Sequence, residues 1–430
     1  MTSLLSSILS LCLSCVSAIL PSLPWAEATK EDMPPGVPYD DYTPAVVPNG
    51  TKAMYKVVGG VKIFHLIAEP IDWEVAPGLK IKTWGYNGSV PGPLIEVAEG
   101  DRVRIYVTNN LPAPTTTHWH GVLIPCGMDG VAGITQSAIP PGETFLYEFI
   151  FPNSGTFMYH PHFDSMTQEG MGLTGIILVH KREPDLEMRP TRDFAIMLHE
   201  WNIDVGTSRP NTLKMDFNIL TMNGKVMPAT EPLVAELGDT VWIRYGNLSA
   251  MDHHPIHLHG YSFKIIGSDG GWVPDKSLVL PETTVLVPVG AAKVIEFEAN
   301  NPGDWIFHCH MTHHTMNQMG HQYPNMLGMN IGDFDKKMQQ LIPGYMTMGT
   351  KGMRDMTKTG MAIPLNSIPM LGYDGPFGQT VFGGMANILR VRETTDDYKD
   401  PGPYVFPRGS IAGPASIADL HRDGISPAQQ

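Results

Sequence analysis

The chain has 430 residues, more than one ordinary domain holds, so two or three units with separate cores are expected. Only 17% of the residues are charged while glycine and proline number 44 and 38, a balance typical of turn-rich β proteins rather than helical ones. A formal net charge of -14, without clusters of Lys and Arg to offset it, argues against a nucleic-acid partner.

The first 28 residues are apolar and serine-rich and end in Ala26, Glu27 and Ala28, the small-x-small pattern of a signal-peptide cleavage site. Serines interrupt the run before about 18 apolar residues accumulate, which argues against a membrane anchor. The run carries no Lys or Arg, so an atypical signal or a misassigned start stays open, and lipid attachment at Cys15 is a weaker alternative. We expect residues 1–28 to be a signal peptide and the protein to be exported, to the periplasm or the extracellular space.

An internal repeat organises the following part of the chain. Residues 93–121 parallel residues 232–260, each with Gly-Asp, an alternating strand, Asn-Leu and His-x-His-Gly in that order. "NSGTFMYHPH" (153–162) likewise parallels "NPGDWIFHCH" (301–310). The alternation after each Gly-Asp has a period of two, which predicts half-buried strands. Two copies of one β-rich unit are therefore expected.

These patterns predict an all-β protein with its units at residues 50–182 and 192–332. The charged, proline-containing segment 181–190 suits a linker between them. Residues 333–430 differ in character, because they are rich in Met, Gly and Pro, and we expect a C-terminal extension there. Asp333 could cap a short helix that begins the extension, and the chain from Tyr398 onward is expected to be extended or disordered.

Four His-x-His pairs stand at equivalent places in the two copies. On a strand, residues two positions apart point to the same face, so each pair presents two imidazoles together. Eight imidazoles without carboxylates suit Cu, Zn or Fe and poorly suit Ca or Mg. A single pair is more often an incidental core or surface feature, but four pairs in register are hard to explain that way. The pairs are His118 with His120, His160 with His162, His257 with His259, and His308 with His310.

Removal of the signal leaves only two cysteines, Cys126 and Cys309, which rules out a disulfide framework. The period of two places Cys309 on the strand face opposite His308 and His310, toward a second site. Its expected companions are His254, His314 and Met319. Two imidazoles, one thiolate and a weak thioether form the ligand set of a blue-copper centre, whereas structural zinc has no use for a thioether. Ordinary core packing is the alternative for Met319 taken alone.

The motifs "HWHG", "HPH", "HPIHLHG" and "HCHMTHHTMNQM" resemble, in order, the four copper-binding motifs of the multicopper oxidases, the laccase-like family. The resemblance covers both repeats, about residues 50–332. It implies two cupredoxin-like Greek-key β-sandwich domains, followed by the Met/Gly/Pro-rich C-terminal extension.

The resemblance also implies four coppers per active unit. The type 1 copper would be held by His254, Cys309, His314 and Met319, and the type 2 copper by His118 and His257. One type 3 copper would take His120, His160 and His310, and the other would take His162, His259 and His308.

The first copy lacks a type 1 site. Aligned on the second copy, it places Thr115 at His254, Pro161 at Cys309, Met166 at His314 and Met171 at Met319. The chain therefore resembles two-domain oxidases with the type 1 copper in the second domain. Such relatives are homotrimers that share each copper cluster between subunits, and the resemblance implies a homotrimer here.

The function that the resemblance implies is oxidation of a small reducing substrate, of the phenol type or Cu(I), coupled to four-electron reduction of dioxygen to water. Cys309 would pass electrons toward His308 and His310, to which it is joined through the backbone. Asp129, shortly after "HWHG", is a candidate proton source, and its alternative role is that of a turn-forming residue before Gly130.

The extension raises the question of substrate because its residues 346–370 carry six methionines, whose thioethers select Cu(I). It could capture cuprous ion, or it could be an apolar cover over the domains. These methionines are Met346, Met348, Met353, Met356, Met361 and Met370.

Two other functions stay open. An exported copper-sequestering protein would use the same soft ligands but would consume no oxygen. A two-domain copper nitrite reductase is the nearer rival, although its family pattern places the type 1 cysteine in the first repeat, where this chain has Pro161.

Overall fold

The computed structural model describes residues 33–182, 189–204, 206–318, 334–341, 365–369, 373–380 and 382–426. These residues form two β-sandwiches, which confirms the all-β prediction. The predicted signal peptide and the six methionines of residues 346–370 lie outside them, as do Met319 and Asp333. No helix among the described residues is long and apolar enough to span a membrane.

The first sandwich contains nine strands. In chain order these are β1 (Tyr55–Val58), β2 (Val61–Ala76), β3 (Leu79–Tyr86), β4 (Gly92–Ala98), β5 (Arg102–Asn109), β6 (His118–His120), β7 (Thr144–Ile150), β8 (Gly155–His160) and β9 (Gly175–His180). One sheet has the order β1-β2-β5-β7, with β3 paired to β2, and the other has the order β4-β9-β8-β6. A 3₁₀ turn (Cys126–Met128) and helix α1 (Ser165–Gly170) lie in its loops.

The second sandwich repeats this plan. Its strands are β10 (Arg192–Trp201), β11 (Ile219–Met222), β12 (Leu233–Glu236), β13 (Thr240–Asn247), β14 (His254–Leu258), β15 (Lys264–Ser268), β16 (Gly271–Trp272), β17 (Thr284–Val287), β18 (Ala292–Glu298), β19 (Gly303–Cys309) and, after a separate hairpin of β20 (Asp374–Gly375) and β21 (Gly378–Gln379), β22 (Ala386–Arg392). The two sheets have the orders β11-β10-β13-β18-β15-β16 and β12-β22-β19-β14-β17. Two 3₁₀ turns lie at Lys276–Leu278 and Thr312–Thr315. Helix α2 (Phe334–Leu341) lies between β19 and β20 in the chain, and helix α3 (Ile417–Arg422) follows β22.

Strand β22 comes from the segment that the sequence assigns to the C-terminal extension. It lies between β12 and β19, as β9 lies between β4 and β8 in the first sandwich, with the same parallel and antiparallel pairings. In the first sandwich residues 161–174 connect the two equivalent strands, whereas residues 310–385 connect them in the second. The second unit therefore extends beyond residue 332, and the Met-rich segment is an insertion between two paired strands rather than a terminal tail.

The two sandwiches have separate cores and pack on each other. Alternate residues of β8 point into the first core, as Phe157 and Tyr159 do, while Met158 points outward and packs with Met197 of the second sandwich. The buried guanidinium of Arg244 binds Asp193 through three short contacts of 2.8 to 3.0 Å and reaches the hydroxyl of Thr156 across the interface at 3.1 Å. These contacts fix the second sandwich against the first.

The C-terminal segment contains no strand after β22 among the described residues, and its first part is held to the second sandwich. Arg392 donates from Nη2 to the carbonyl of Gly402 and to Asp304 Oδ1, at 2.6 and 2.7 Å. The ring of Tyr398 stacks on the guanidinium of Arg192 at 3.9 Å. Helix α2 lies where the sequence predicts a short helix.

Candidate metal centre

The predicted type 1 residues of the described chain meet in the core of the second sandwich. Strands β14 and β19 are neighbours, with Ile256 opposite Cys309, and this pairing brings His254 near the thiol. His314 lies in the 3₁₀ turn that follows β19. Cys309 Sγ is 3.4 Å from His314 Nδ1 and 3.9 Å from His254 Nδ1, and all three side chains are buried.

The outer nitrogens of these two imidazoles face polar groups. His254 Nε2 is 2.7 Å from Ser249 Oγ, and His314 Nε2 is 3.4 Å from Asp252 Oδ2. Each Nδ1 thus stays directed at the thiol, as a metal-ligating histidine requires. Burial, with the neighbouring His314 second, lowers the pKa of His254 to about 3. The imidazole is therefore neutral and able to ligate at physiological pH.

Burial raises the pKa of the Cys309 thiol to about 12. The metal-free thiol is therefore protonated at neutral pH, and a cation that binds there must displace the proton. A soft, borderline metal with high affinity for thiolate and imidazole meets this condition.

Two carboxyl groups behind His314 were not found from the sequence. Glu200, from β10, accepts hydrogen bonds from the backbone N–H groups of Met251 and Asp252 at 2.7 and 3.2 Å. Burial, followed by the charge of Asp252, raises the pKa of Glu200 to about 9. Contact with His314 is the first cause that holds the pKa of Asp252 at about 2. No motif marks these residues, because Glu200 on β10 and Asp252 in the loop after β13 come together from separate parts of the chain.

The first histidine quartet lies at the end of the first sandwich. Strands β6 and β8 pair with His118 opposite His160, so the four side chains of the two pairs emerge together. Ring centroids within this quartet lie 5.4 to 6.2 Å apart, and His120 Nδ1 is 3.3 Å from His160 Nε2.

The second quartet is built in the same way from β14 and β19, with His257 opposite His308. Its ring centroids lie 4.8 to 5.9 Å apart, and His259 Nε2 is 3.2 Å from His308 Nε2. Cys309 lies in the core, whereas His310 beside it is exposed. The alternation of faces predicted from the period of two is thus present in the structure.

Several quartet rings are oriented by backbone carbonyls. Nδ1 of His118, His257 and His308 lies 2.7 to 2.9 Å from the carbonyl oxygens of Asp129, Thr283 and Cys309, in that order. A carbonyl only accepts, so Nδ1 carries the proton and Nε2 offers its lone pair to a metal.

The pKa values of two histidines in the first quartet shift in opposite directions. Burial first, and the neighbouring imidazoles next, lower the pKa of His120. For His160 burial lowers the pKa, but Glu169, 3.2 Å from Nδ1, outweighs it and the net pKa is raised. Sequence reasoning missed Glu169 at this quartet. The candidate acid Asp129 lies here too, with Oδ1 3.4 Å from His118 Nδ1.

The place in the first sandwich that corresponds to the type 1 site is filled by a hydrogen bond. The Thr115 hydroxyl donates to Gln168 Oε1 at 2.6 Å, and Gln168 Nε2 donates to the carbonyl of Pro114 at 2.8 Å. The residue that faces Thr115 is therefore Gln168, not Met166, which is exposed on α1. Sequence alignment misplaced this position because α1 follows Pro161, whereas a 3₁₀ turn follows Cys309.

The two quartets do not meet within one chain. All eight imidazoles belong to the described residues, and every close ring pair joins members of the same quartet. His162 of the first quartet and His310 of the second are exposed. Each quartet thus opens at the surface.

Comparison with known families gives two matches along this chain. A multicopper oxidase family model matches residues 68–184, and a second model of the same description matches residues 204–327. The two matches together span more than half of the chain and include all eight paired histidines and Cys309.

Two curated relatives illustrate the likeness. The chain is 34% identical over 173 residues to copper resistance protein A of Pseudomonas syringae pv. tomato. The aligned stretch covers 40% of this chain and 27% of that protein. It is 30% identical over 275 residues to a probable nitrite reductase-hydroxylamine oxidoreductase fusion protein of Kuenenia stuttgartiensis, which covers 60% of this chain and 31% of that protein. The chain thus spans about a third or less of the length of these relatives.

Among solved structures, the blue copper oxidase of Nitrosomonas europaea is 27% identical, with a TM-score of 0.55 over 76% of this chain and 85% of that one. This likeness confirms the predicted cupredoxin-like fold. The family models, the paired cupredoxin-like sandwiches and the buried Cys309 set lead to one conclusion: the chain belongs to the multicopper oxidase family.

Proposed function

We propose that this protein is a copper-dependent oxidase. It couples one-electron oxidation of a reducing substrate, of the phenol type or Cu(I), to the four-electron reduction of dioxygen to water. One observation carries the proposal. A buried set of two imidazoles and one thiol is joined, through a single residue, to a separate quartet of imidazoles.

The family implies copper, and the residues present fit it. His254, Cys309 and His314 would hold the type 1 copper, together with Met319, which lies outside the described residues. The two quartets would hold one type 2 and two type 3 coppers, with the division of ligands that the family resemblance implies. Copper bound at these sites supplies one-electron redox chemistry and the binding of dioxygen.

Cys309 gives the two sites a direct connection. Its peptide bonds join it to His308 and His310, and its side chain points into the core while theirs point to the second quartet. Because the thiol is fully buried, water is excluded from it, and electrons would enter the quartet through the chain itself.

The active unit is proposed to be a homotrimer. Each chain carries two quartets that do not meet, and in a trimer the two neighbouring copies would supply the partner quartet for each. Exposed apolar side chains support this proposal, because they lie in the loops beside both quartets: Leu123 and Ile134 in the first sandwich, and Leu278 and Leu280 in the second. Apolar surface of this kind favours a protein contact.

Asp129 is proposed to hold a proton for the reduction of dioxygen. Its backbone carbonyl orients His118, and its partly exposed carboxylate can exchange protons between solvent and the first quartet. Both functions attributed to Asp129, in the turn and at the quartet, are compatible with this position.

The Met-rich insertion is proposed to select the substrate. Its return segment is fixed beside the type 1 residues, since Met385 N–H donates to the His314 carbonyl at 2.8 Å and Cys309 N–H donates to the Met385 carbonyl at 3.0 Å. Thioethers on this insertion would deliver Cu(I) close to the point of electron entry. An apolar cover without metal affinity is the competing role.

Export to the periplasm or the extracellular space completes the proposal, on the strength of the apolar N-terminal run with its small-x-small site. Residues 1–32 lie outside the described part of the chain.

Nitrite reduction is the second candidate, because one relative of this chain is named as a probable nitrite reductase fusion. The position of the thiol in the second sandwich and the Thr115–Gln168 bond in the first favour the oxidase.

Measurements on the copper-loaded protein distinguish oxidase, nitrite reductase and copper sequestration. Dioxygen and nitrite consumption should be measured with a dimethoxyphenol and with Cu(I), in the wild type, in Cys309→Ser and in Cys126→Ser. The oxidase proposal expects oxygen uptake by the wild type and by the Cys126 variant, and neither uptake nor blue colour in the Cys309 variant. Nitrite consumption without oxygen uptake would favour the reductase, and copper binding with neither activity would favour sequestration.

A further inference from the structure

Glu200 is a buried carboxyl group with no part in the ligand sets described above. It lies on β10, with 1% of its surface exposed, in the sheet of the second sandwich that does not contain the strand of Cys309. Such a group costs free energy unless it is hydrogen-bonded, so its partners indicate what it does.

Those partners are the residues that lead into the type 1 site. Glu200 Oε1 accepts the N–H groups of Met251 and Asp252, which lie in the loop between β13 and β14. The loop ends at His254, and the side chain of Asp252 lies 3.4 Å from His314 Nε2. Glu200 therefore holds the loop that leads into His254. The same loop carries Asp252, which orients His314.

The distribution of protons fits a chain of hydrogen bonds. The carboxyl groups of Glu200 and Asp252 are hydrogen-bonded to each other, and Asp252 Oδ2 also faces His314 Nε2 at 3.4 Å. Two carboxyl groups share a hydrogen bond only when one of them carries the proton, and Asp252 must accept from the N–H of His314. Glu200 is then the protonated member and donates to the Asp252 carboxylate, which in turn accepts from His314. The chain fixes the proton on His314 Nε2 and leaves Nδ1 for the metal.

We propose that Glu200 is a positioning residue of the type 1 copper site, acting through Asp252 on the imidazole of His314. This inference rests on the proposed function in one respect, the presence of copper at Cys309. Loss of Glu200 removes the acceptor of two buried N–H groups and the donor to Asp252. The carboxylate and the His314 ring would then lose their fixed orientation toward the metal.

The test compares three substitutions in the copper-loaded protein. Glu200→Leu removes the hydrogen bonds, and Glu200→Gln keeps an acceptor for the loop and a donor for Asp252. Asn202→Ala is the matched control, since Asn202 directly follows the end of β10 and is also buried, but donates to the backbone carbonyl of Asp216. The readouts are the blue absorption band, the reduction potential of the type 1 copper and the copper content.

Glu200→Leu is expected to weaken or shift the blue band and to change the reduction equilibrium at least tenfold, which is about 59 mV for one electron. Glu200→Gln and Asn202→Ala should keep the wild-type band and potential. Because Glu200 acts through Asp252, its substitution should have little further effect on potential in an Asp252→Asn background.

The inference would be overturned if Glu200→Leu kept the wild-type blue band and reduction potential and only lowered Tm. It would also be overturned if Asn202→Ala changed the band and the potential as much as Glu200→Leu does. Should Glu200→Leu fail to fold, Glu200→Asp, which withdraws the carboxyl group by one methylene, takes its place with the same expectations. A wild-type protein that takes up copper but shows no blue band contradicts the proposed function instead, and the two failures are thereby distinguished.

Discussion

Strand β22 is expected to be essential to the second sandwich, although the sequence places it outside the repeat. A chain that ends at residue 332 loses Met385, Leu389 and Val391, all of them fully buried in the core that surrounds Cys309. Burial of each such side chain is worth about 1.5 to 3 kcal/mol, so their loss removes roughly 5 to 9 kcal/mol. A whole domain is stable by only about 5 to 15 kcal/mol. The truncated second sandwich should therefore not fold.

A milder perturbation allows the effect to be measured. Leu389→Ala should lower the free energy of unfolding by about 2 to 5 kcal/mol, because it leaves a cavity between the sheets. Ile388→Ala, one residue earlier on a half-buried face, should cost clearly less. Urea denaturation followed by circular dichroism gives both values. Equal costs for the two variants, or a truncated chain that still unfolds cooperatively and binds type 1 copper, would refute the assignment of β22 to this core.

Three further predictions concern pH, assembly and substrate. Burial raises the pKa of Glu96, but His180 and Lys52 outweigh it and bring the pKa to about 2, below the ordinary 4.5. A lowered carboxyl pKa stabilises the fold above pH 4.5, and about 3 kcal/mol should be lost as pH falls from 4.5 to 2. Urea titrations at several pH values should show this loss in the wild type and not in Glu96→Gln. The double substitution Leu278→Asp and Leu280→Asp should shift the protein from trimer to monomer in analytical ultracentrifugation. Leu213→Asp, at an equally exposed leucine elsewhere, should leave the trimer intact. A wild-type monomer with full activity would contradict the trimer. Replacement of Met346, Met348, Met353, Met356 and Met361 by Leu should lower the rate of Cu(I) oxidation and leave phenol oxidation unchanged, and equal rates with both substrates would assign the insertion to a cover.

The histidine quartets could be predicted because their signal is local. A period of two and an internal repeat suffice to place His118 with His120, and the same rule separates Cys309 from its two neighbours. These relations depend on strand geometry alone, which the sequence determines over a few residues.

The features that sequence reasoning missed depend on contacts between distant segments. Glu200 and Asp252 meet because the loop that follows β13 folds onto β10, and no spacing along the chain records this. The apolar pattern of "ANILRVR" (386–392) was a usable signal for β22, since it resembles "GIILVH" (175–180) of β9. The long insertion before it concealed the equivalence.

The stoichiometry of oxygen consumption tests the central proposal most directly. Copper-loaded protein should consume one dioxygen for about four molecules of a one-electron reductant and release no hydrogen peroxide, since the proposed clusters reduce dioxygen fully to water. Cys309→Ser should consume none. A ratio near one to two with accumulation of peroxide, or oxygen uptake that survives the loss of Cys309, would contradict the proposed mechanism.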